Sequence, residues 1–247
     1  MGLNSGFIAL LVLAAIHLFA NQAKVMGWVW HGRFLSFAAG ITFAYVFVGL
    51  LPALQKGQPV LKRTFDQFVP YLDRHVYLIA LVGLLFYYGI QTYAQTGTAK
   101  NFWLAISGYL LFNFFVGVSL SDSNNPEIQP LTLFTIAMGM HYFVRDHNAG
   151  TENRSLYQRQ GRWWLIASLL LGYAVGYLTH IPDAVAAIAI SFVAGGVLLN
   201  VFHYELPKRE RVGYGCFVLG SLLYTTVLLG VGEIHFFSIG QLFLPKI

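Results

Sequence analysis

The chain is 247 residues long, 57% hydrophobic and only 10% charged, with a mean hydropathy of +0.61. Soluble domains carry about a quarter charged residues, so this composition excludes a water-soluble fold and leaves a polytopic protein whose main partner is the lipid bilayer. The excess of 15 Lys and Arg over 10 Asp and Glu reads as loop charge that sets membrane orientation, not as a nucleic-acid surface, and the single cysteine, Cys216, excludes an internal disulfide.

The length holds about eight spans of ~20 residues. The first, residues 5–20, is apolar apart from His17, and no basic run precedes it, so it reads as a membrane helix and not as a signal peptide. Lys24, Trp28, Trp30 and Arg33 form an interfacial loop before span two at 34–54. Residues 55–75 read as the first long loop, followed by span three at 76–94 and span four at 102–120. A turn-rich SDSNNPEIQP segment separates span four from span five at 131–144. The second long loop, 145–162, is the most charged part of the chain. Span six at 163–178, span seven at 184–204, a basic turn at 208–211 and span eight at 212–231 complete the series, and the aromatic tail from Gly232 is expected along the interface. Trp163 and Trp164, like Trp28 and Trp30, read as interface anchors. In this scheme Lys and Arg divide ten against five between the two sides, which places both termini outside an inner or plasma membrane.

One stretch occurs twice. Residues 36–52, SFAAGITFAYVFVGLLP, align without a gap with residues 191–207, SFVAGGVLLNVFHYELP, and agree at 8 of 17 positions, including Ala39-Gly40 against Ala194-Gly195 and Leu51-Pro52 against Leu206-Pro207. A fainter echo pairs Gly83-x-Leu85-Phe86-Tyr87 with Gly220-x-Leu222-Leu223-Tyr224. Spans two and seven cross the membrane in opposite senses, so the match predicts an inverted repeat, an arrangement common among secondary transporters. Three segments follow: a first three-helix repeat at 1–95, two central helices at 101–146 and a second three-helix repeat at 162–247. The expected fold is all-α, with eight membrane helices in a 3+2+3 order. The prolines are expected to end their helices.

The AAG start and LLP end of span two, the AGG start and ELP end of span seven, and the 3+2+3 order resemble the ZIP family of divalent metal transporters. The resemblance implies a metal site on the two central helices, built from an HNxxDG-like and an HExxHE-like motif, and it allows a homodimer. In span four the aligned residues are Phe112-Asn113-Phe114-Phe115-Val116-Gly117, which keep the Asn and Gly but lack the His and Asp. In span five they are His141-Tyr142-Phe143-Val144-Arg145-Asp146, with Arg145 at a ligand position. A divalent ion needs ligands that replace its water and negative charge that offsets desolvation. The spans as drawn contain no Asp, Glu, Lys or Arg, and Arg145 repels cations. The usual binuclear site is therefore expected to be largely absent.

The remaining ligand candidates for a transported or bound divalent transition metal are His141, Asp146, Asn113, His203 and Glu205. His141, Arg145, Asp146 and His147 at the inner end of span five are expected to meet His203 and Glu205 of span seven, as a polar site facing the cytoplasm. The alternative makes Arg145–Asp146 an interfacial pair and the histidines snorkelling helix ends. Asn113 is either an interhelical hydrogen bond or a solute contact, and His17 reads as a packed or hydrogen-bonded histidine. Three functions stay open: a metal-transport-class carrier, a non-transporting scaffold or sensor that retains the fold, and, more weakly, a metal-dependent enzyme acting on lipid headgroups through His141, Asp146 and His147. No serine or cysteine has an evident base partner, so no enzyme is expected.

Overall fold

The structure, a computed structural model, describes residues 5–20, 28–65, 74–94, 99–121, 130–179, 181–205 and 211–242, and among these it leaves the side chains at 28–31, 151–152, 204–205, 211–212 and 231–242 undescribed. The described residues contain no strand. They form α1 (Ser5–Phe19), α2 (Trp28–Tyr45), α3 (Leu51–Phe65), α4 (His75–Tyr93), α5 (Ala99–Ser121), α6 (Leu131–Glu152), the short α7 (Arg154–Leu156), α8 (Arg162–Leu178), α9 (Asp183–Asn200) and α10 (Arg211–Leu242). A π turn at Val46–Leu50 joins α2 to α3, so the two make one continuous helix and the described residues hold eight long helices. Five helical stretches are long and apolar enough to cross a membrane: Gly32–Phe65, His75–Tyr93, Ala99–Ser121, Asp183–His203 and Gly213–Gly230. The outward faces are apolar, with Leu81, Val82 and Leu85 of α4 and Leu219, Leu222 and Leu223 of α10 all exposed. A hydrocarbon surround suits such faces and water does not.

Two expected loops are helical. The helix of span two does not stop at Pro52. Proline has no N–H, and in an α-helix its ring presses on the carbonyl four residues back. Here the turn before it is widened, with Leu51 N–H bonded to Val46 O, and the helix runs on to Phe65. A second π turn, Val201–Glu205, stands at the matching place in the repeat, directly before Leu206-Pro207, which lie outside the described residues. The extension α3 is amphipathic, and its buried side holds the start of α4. Gln58 Oε1 accepts from Val76 N–H at 3.1 Å, and Tyr77 O–H donates to Gln55 Oε1 at 2.8 Å. The charged stretch after span five is helical as well, since α6 continues to Glu152 and the π turn Tyr157–Gly161 leads into α8. The backbone of the aromatic tail is helical to Leu242. The expected interfacial loop at Lys24 and the basic turn at Lys208–Arg209 lie outside the described residues.

Helix pairs meet at glycines. In lipid, apolar side chains gain little by leaving the tails, so close backbone packing and interhelical hydrogen bonds hold helices together. Three pairs pack most extensively: α5 with α8, α2 with α10, and α4 with α9. Each crosses in the same way. A Cβ at Gly40 would overlap Phe217 O and press on Ser221 N, while one at Gly220 would overlap Phe37 O. Gly195 meets Ala80 O and Leu84 N, and Gly83 meets Phe192 O. Gly117 meets Leu169 O and Tyr173 N, and Gly172 meets Phe114 O. In every case a glycine lies on the carbonyl three residues before its partner glycine. Serine hydroxyls reinforce two of the crossings, Ser221 donating to Gly40 O at 2.9 Å and Ser168 to Leu110 O at 2.7 Å. Helix α1 packs on α5, α6 and α8, which encloses the central helices and brings His17 against both of them.

Candidate functional site

Helix α6 carries Arg145 and Asp146 into the interior because both find polar or aromatic company there. Buried charges persist only where they are paired and hydrogen-bonded. Asp146 is fully buried, and its Oδ2 lies 2.7 Å from His17 Nδ1 on α1. The other ring nitrogen, Nε2, lies 3.0 Å from Asn113 Oδ1 on α5. Asn113 in turn donates from Nδ2 to Tyr109 O at 2.9 Å, which fixes Oδ1 as the atom facing the histidine. Both ring nitrogens therefore face acceptors. The network is fully bonded when His17 Nε2–H donates to Asn113 and one proton sits between His17 Nδ1 and Asp146 Oδ2. Written as imidazolium with carboxylate, or as imidazole with carboxylic acid, the pair sums to zero charge.

Aromatic rings enclose this pair. Tyr142 stacks on His17 at 4.6 Å between centroids, and Tyr109 meets it edge-on at 6.0 Å. Tyr157, in the turn between α6 and α8, is fully buried beside Asp146. Burial first, and then the neighbouring carboxylate, raise this phenol well above its ordinary range, so it remains a neutral O–H group. The hydroxyls of Tyr109 and Tyr142 are buried without a partner.

Arg145 is one residue from Asp146 on α6 and so points to a different side. Its guanidinium lies over the Tyr109 ring, 5.6 Å from the centroid, and lines a narrow cleft of about 10 Å³ among α4, α5, α6 and α9. Gln91 and Asn200 line it too, joined by a 3.2 Å hydrogen bond from Gln91 Nε2 to Asn200 Oδ1. A second cavity, of about 40 Å³, is walled mainly by apolar side chains, including Tyr45, Leu50, Phe134, Met138 and Val197. Phe112 lines both spaces. The His141 ring packs edge-on against Phe112 at 5.4 Å.

Comparison of the chain with family models, curated proteins and solved structures gave no match.

Of the residues the sequence singles out as ligands, Asn113 and Asp146 are brought together, but through His17 instead of through a metal. His141 is buried on the same helix as Asp146. His203 is exposed, on the π turn at the C-terminal end of α9. The side chain of Glu205 lies outside the described ones. Among the described residues no group of three or more His, Cys, Asp or Glu is placed to hold a metal. Arg145 and Asp146 are both buried within the protein, and α6 runs on past Val144 to Glu152. Sequence reasoning missed Tyr109, Tyr157, Gln91 and the cleft. A usable signal was the solitary His17, whose two nitrogens in an apolar span demand two partners from other helices.

Proposed function

We propose that this chain is an integral membrane carrier with a ZIP-like, inverted 3+2+3 helix order, whose solute path runs through the two cavities and is interrupted at Phe112. The observation that carries this reading is the shared wall: a polar cleft and an apolar cavity lie end to end along α5 and α9, divided by the Phe112 ring. The inverted repeat is supported by the matched glycine crossings of α2 with α10 and of α4 with α9, and by π turns at equivalent positions. Arg145 at the cleft and carboxylate chemistry limited to Asp146, which His17 already engages, argue against the binuclear metal site of the resembled family.

A proteoliposome assay tests it. Phe112→Ala removes the partition, and uptake of a panel of small polar and anionic solutes should rise several-fold over wild type, while zinc, manganese and iron should enter no faster than into empty vesicles. Folded protein that moves no solute in either form would leave the second reading, a non-transporting scaffold or sensor. That reading draws on the buried His17–Asp146–Asn113 hydrogen bonds, which are also what a rigid core needs.

A further inference from the structure

We propose that the cleft among Tyr87, Tyr109 and Asn200 is the binding site of one ordered water molecule, which ties α4, α5 and α9 together. This goes beyond the carrier reading and does not depend on it.

Space comes first. Measured with a water-sized sphere, roughly 10–15 Å³ is the least volume that holds one water. The cleft, at about 10 Å³, admits one such molecule and leaves no room for a larger ligand. The cavity beyond Phe112 is larger, about 40 Å³, but mainly apolar, and apolar cavities stay dry.

Polar partners come second. A buried water makes about three hydrogen bonds, to groups that otherwise lack partners. Tyr87 and Tyr109 line the cleft from α4 and α5, and both hydroxyls are buried with no hydrogen-bond partner among the described residues. Asn200 lines it from α9. Its Oδ1 accepts from Gln91 Nε2, which leaves its Nδ2 to donate. A water that accepts from Asn200 and from one tyrosine, and donates to the other, completes all three. A buried hydroxyl by itself does not identify a water. The Tyr142 hydroxyl is buried in the same way, but Tyr142 lines neither cavity.

The fold makes a slot for Tyr87. Gly108 of α5 and Gly196 of α9 lie against its ring, and a Cβ at either would press on it. Phenylalanine would fill that slot equally well, so packing gives no reason for the hydroxyl. The sequence echo supplies a comparison. Tyr87 aligns with Tyr224, whose O–H donates to Leu133 O at 3.2 Å. One tyrosine of the aligned pair uses a backbone carbonyl of α6; for the other, the water takes that place.

X-ray radiolytic labelling of the purified full chain in detergent, read by mass spectrometry, tests the site. A bound water converted to hydroxyl radical oxidises the side chains beside it even where bulk solvent does not reach. Tyr87 and Tyr109 should be oxidised several-fold faster than Tyr142 and Tyr224, which are also buried but line neither cavity. Equal rates in folded protein overturn the inference. Stability gives a second readout, one of sign. A hydroxyl bonded to water loses that bond in Tyr87→Phe, which should lower the midpoint of unfolding by sodium dodecyl sulfate and shift the unfolding equilibrium several-fold, as Tyr224→Phe should. Removing a buried hydroxyl that bonds nothing would instead stabilise the protein, so a raised midpoint for Tyr87→Phe overturns the inference. Neither assay reads flux, so the carrier reading can fail while the water site stands, and the reverse.

Discussion

The bond between His17 and Asp146 can be weighed by a double-mutant cycle with leucine at each position. Asp146→Leu leaves a buried ring nitrogen without its acceptor, and His17→Leu leaves a fully buried carboxylate without its donor and Asn113 Oδ1 without a proton. Breaking one half of a buried pair costs about 3–5 kcal/mol in water-soluble proteins, whereas replacing both halves by apolar groups is often close to neutral. In a membrane the unfolded helices also find partners, which shrinks such energies. Allowing for that, each single variant should lose about 2–4 kcal/mol and the double variant no more than about 2 kcal/mol, most of it at Asn113. The coupling energy should then reach at least about 2 kcal/mol, near thirtyfold in the unfolding equilibrium. Reversible unfolding in mixed micelles on titration with sodium dodecyl sulfate measures it. A coupling below about 1 kcal/mol, the range of solvent-exposed pairs, would refute the buried network.

Two further predictions concern packing. Gly83→Val should destabilise the protein by about 2–3 kcal/mol or prevent folding, because its first carbon meets Phe192 O, while Gly89→Ala on the same helix faces open space and should be neutral or stabilising by up to about 1 kcal/mol. The same micelle titration decides, and equal effects at the two sites would contradict the crossing. His75→Phe should raise the unfolding midpoint by the equivalent of about 1 kcal/mol, since both His75 nitrogens are buried without partners and its ring already stacks on Phe65 at 5.6 Å. A loss of stability would mean that the histidine finds partners in the bilayer.

The helix order was legible because apolar runs separated by charged or turn-rich segments report spans directly. The matched stretches at 36–52 and 191–207 have a physical counterpart in the packing. Ser36-Phe37 and Ala39-Gly40 match Ser191-Phe192 and Ala194-Gly195 because each set supplies both a glycine and the carbonyl on which the partner helix lays its own glycine. Steric demand at a backbone contact allows one residue type, so it survives in the letters where lipid-facing leucines carry no such constraint. The third crossing, Gly117 with Gly172, joins helices that do not match in sequence, and no comparison of one stretch with another would find it. Helix ends were misread wherever proline or charge stood in for a stop. Pro52 ends nothing because the turn before it opens to a π turn, and α3 stays helical because its polar face meets water or headgroups while Gln58 and Leu61 are covered.

The site shows the same dependence on the rest of the fold, here for buried charge. Ending span five at Val144 assumes that Arg145 and Asp146 seek the interface, which is right for an isolated helix. Burial of a charge, however, depends on groups supplied by other segments. His17 is 129 positions away from Asp146, and Asn113 is 96 positions from His17. Each of these residues, taken alone, reads as a liability in an apolar span: one histidine, one amide, one acid at a helix end. Together they cancel, since two acceptors satisfy two ring nitrogens.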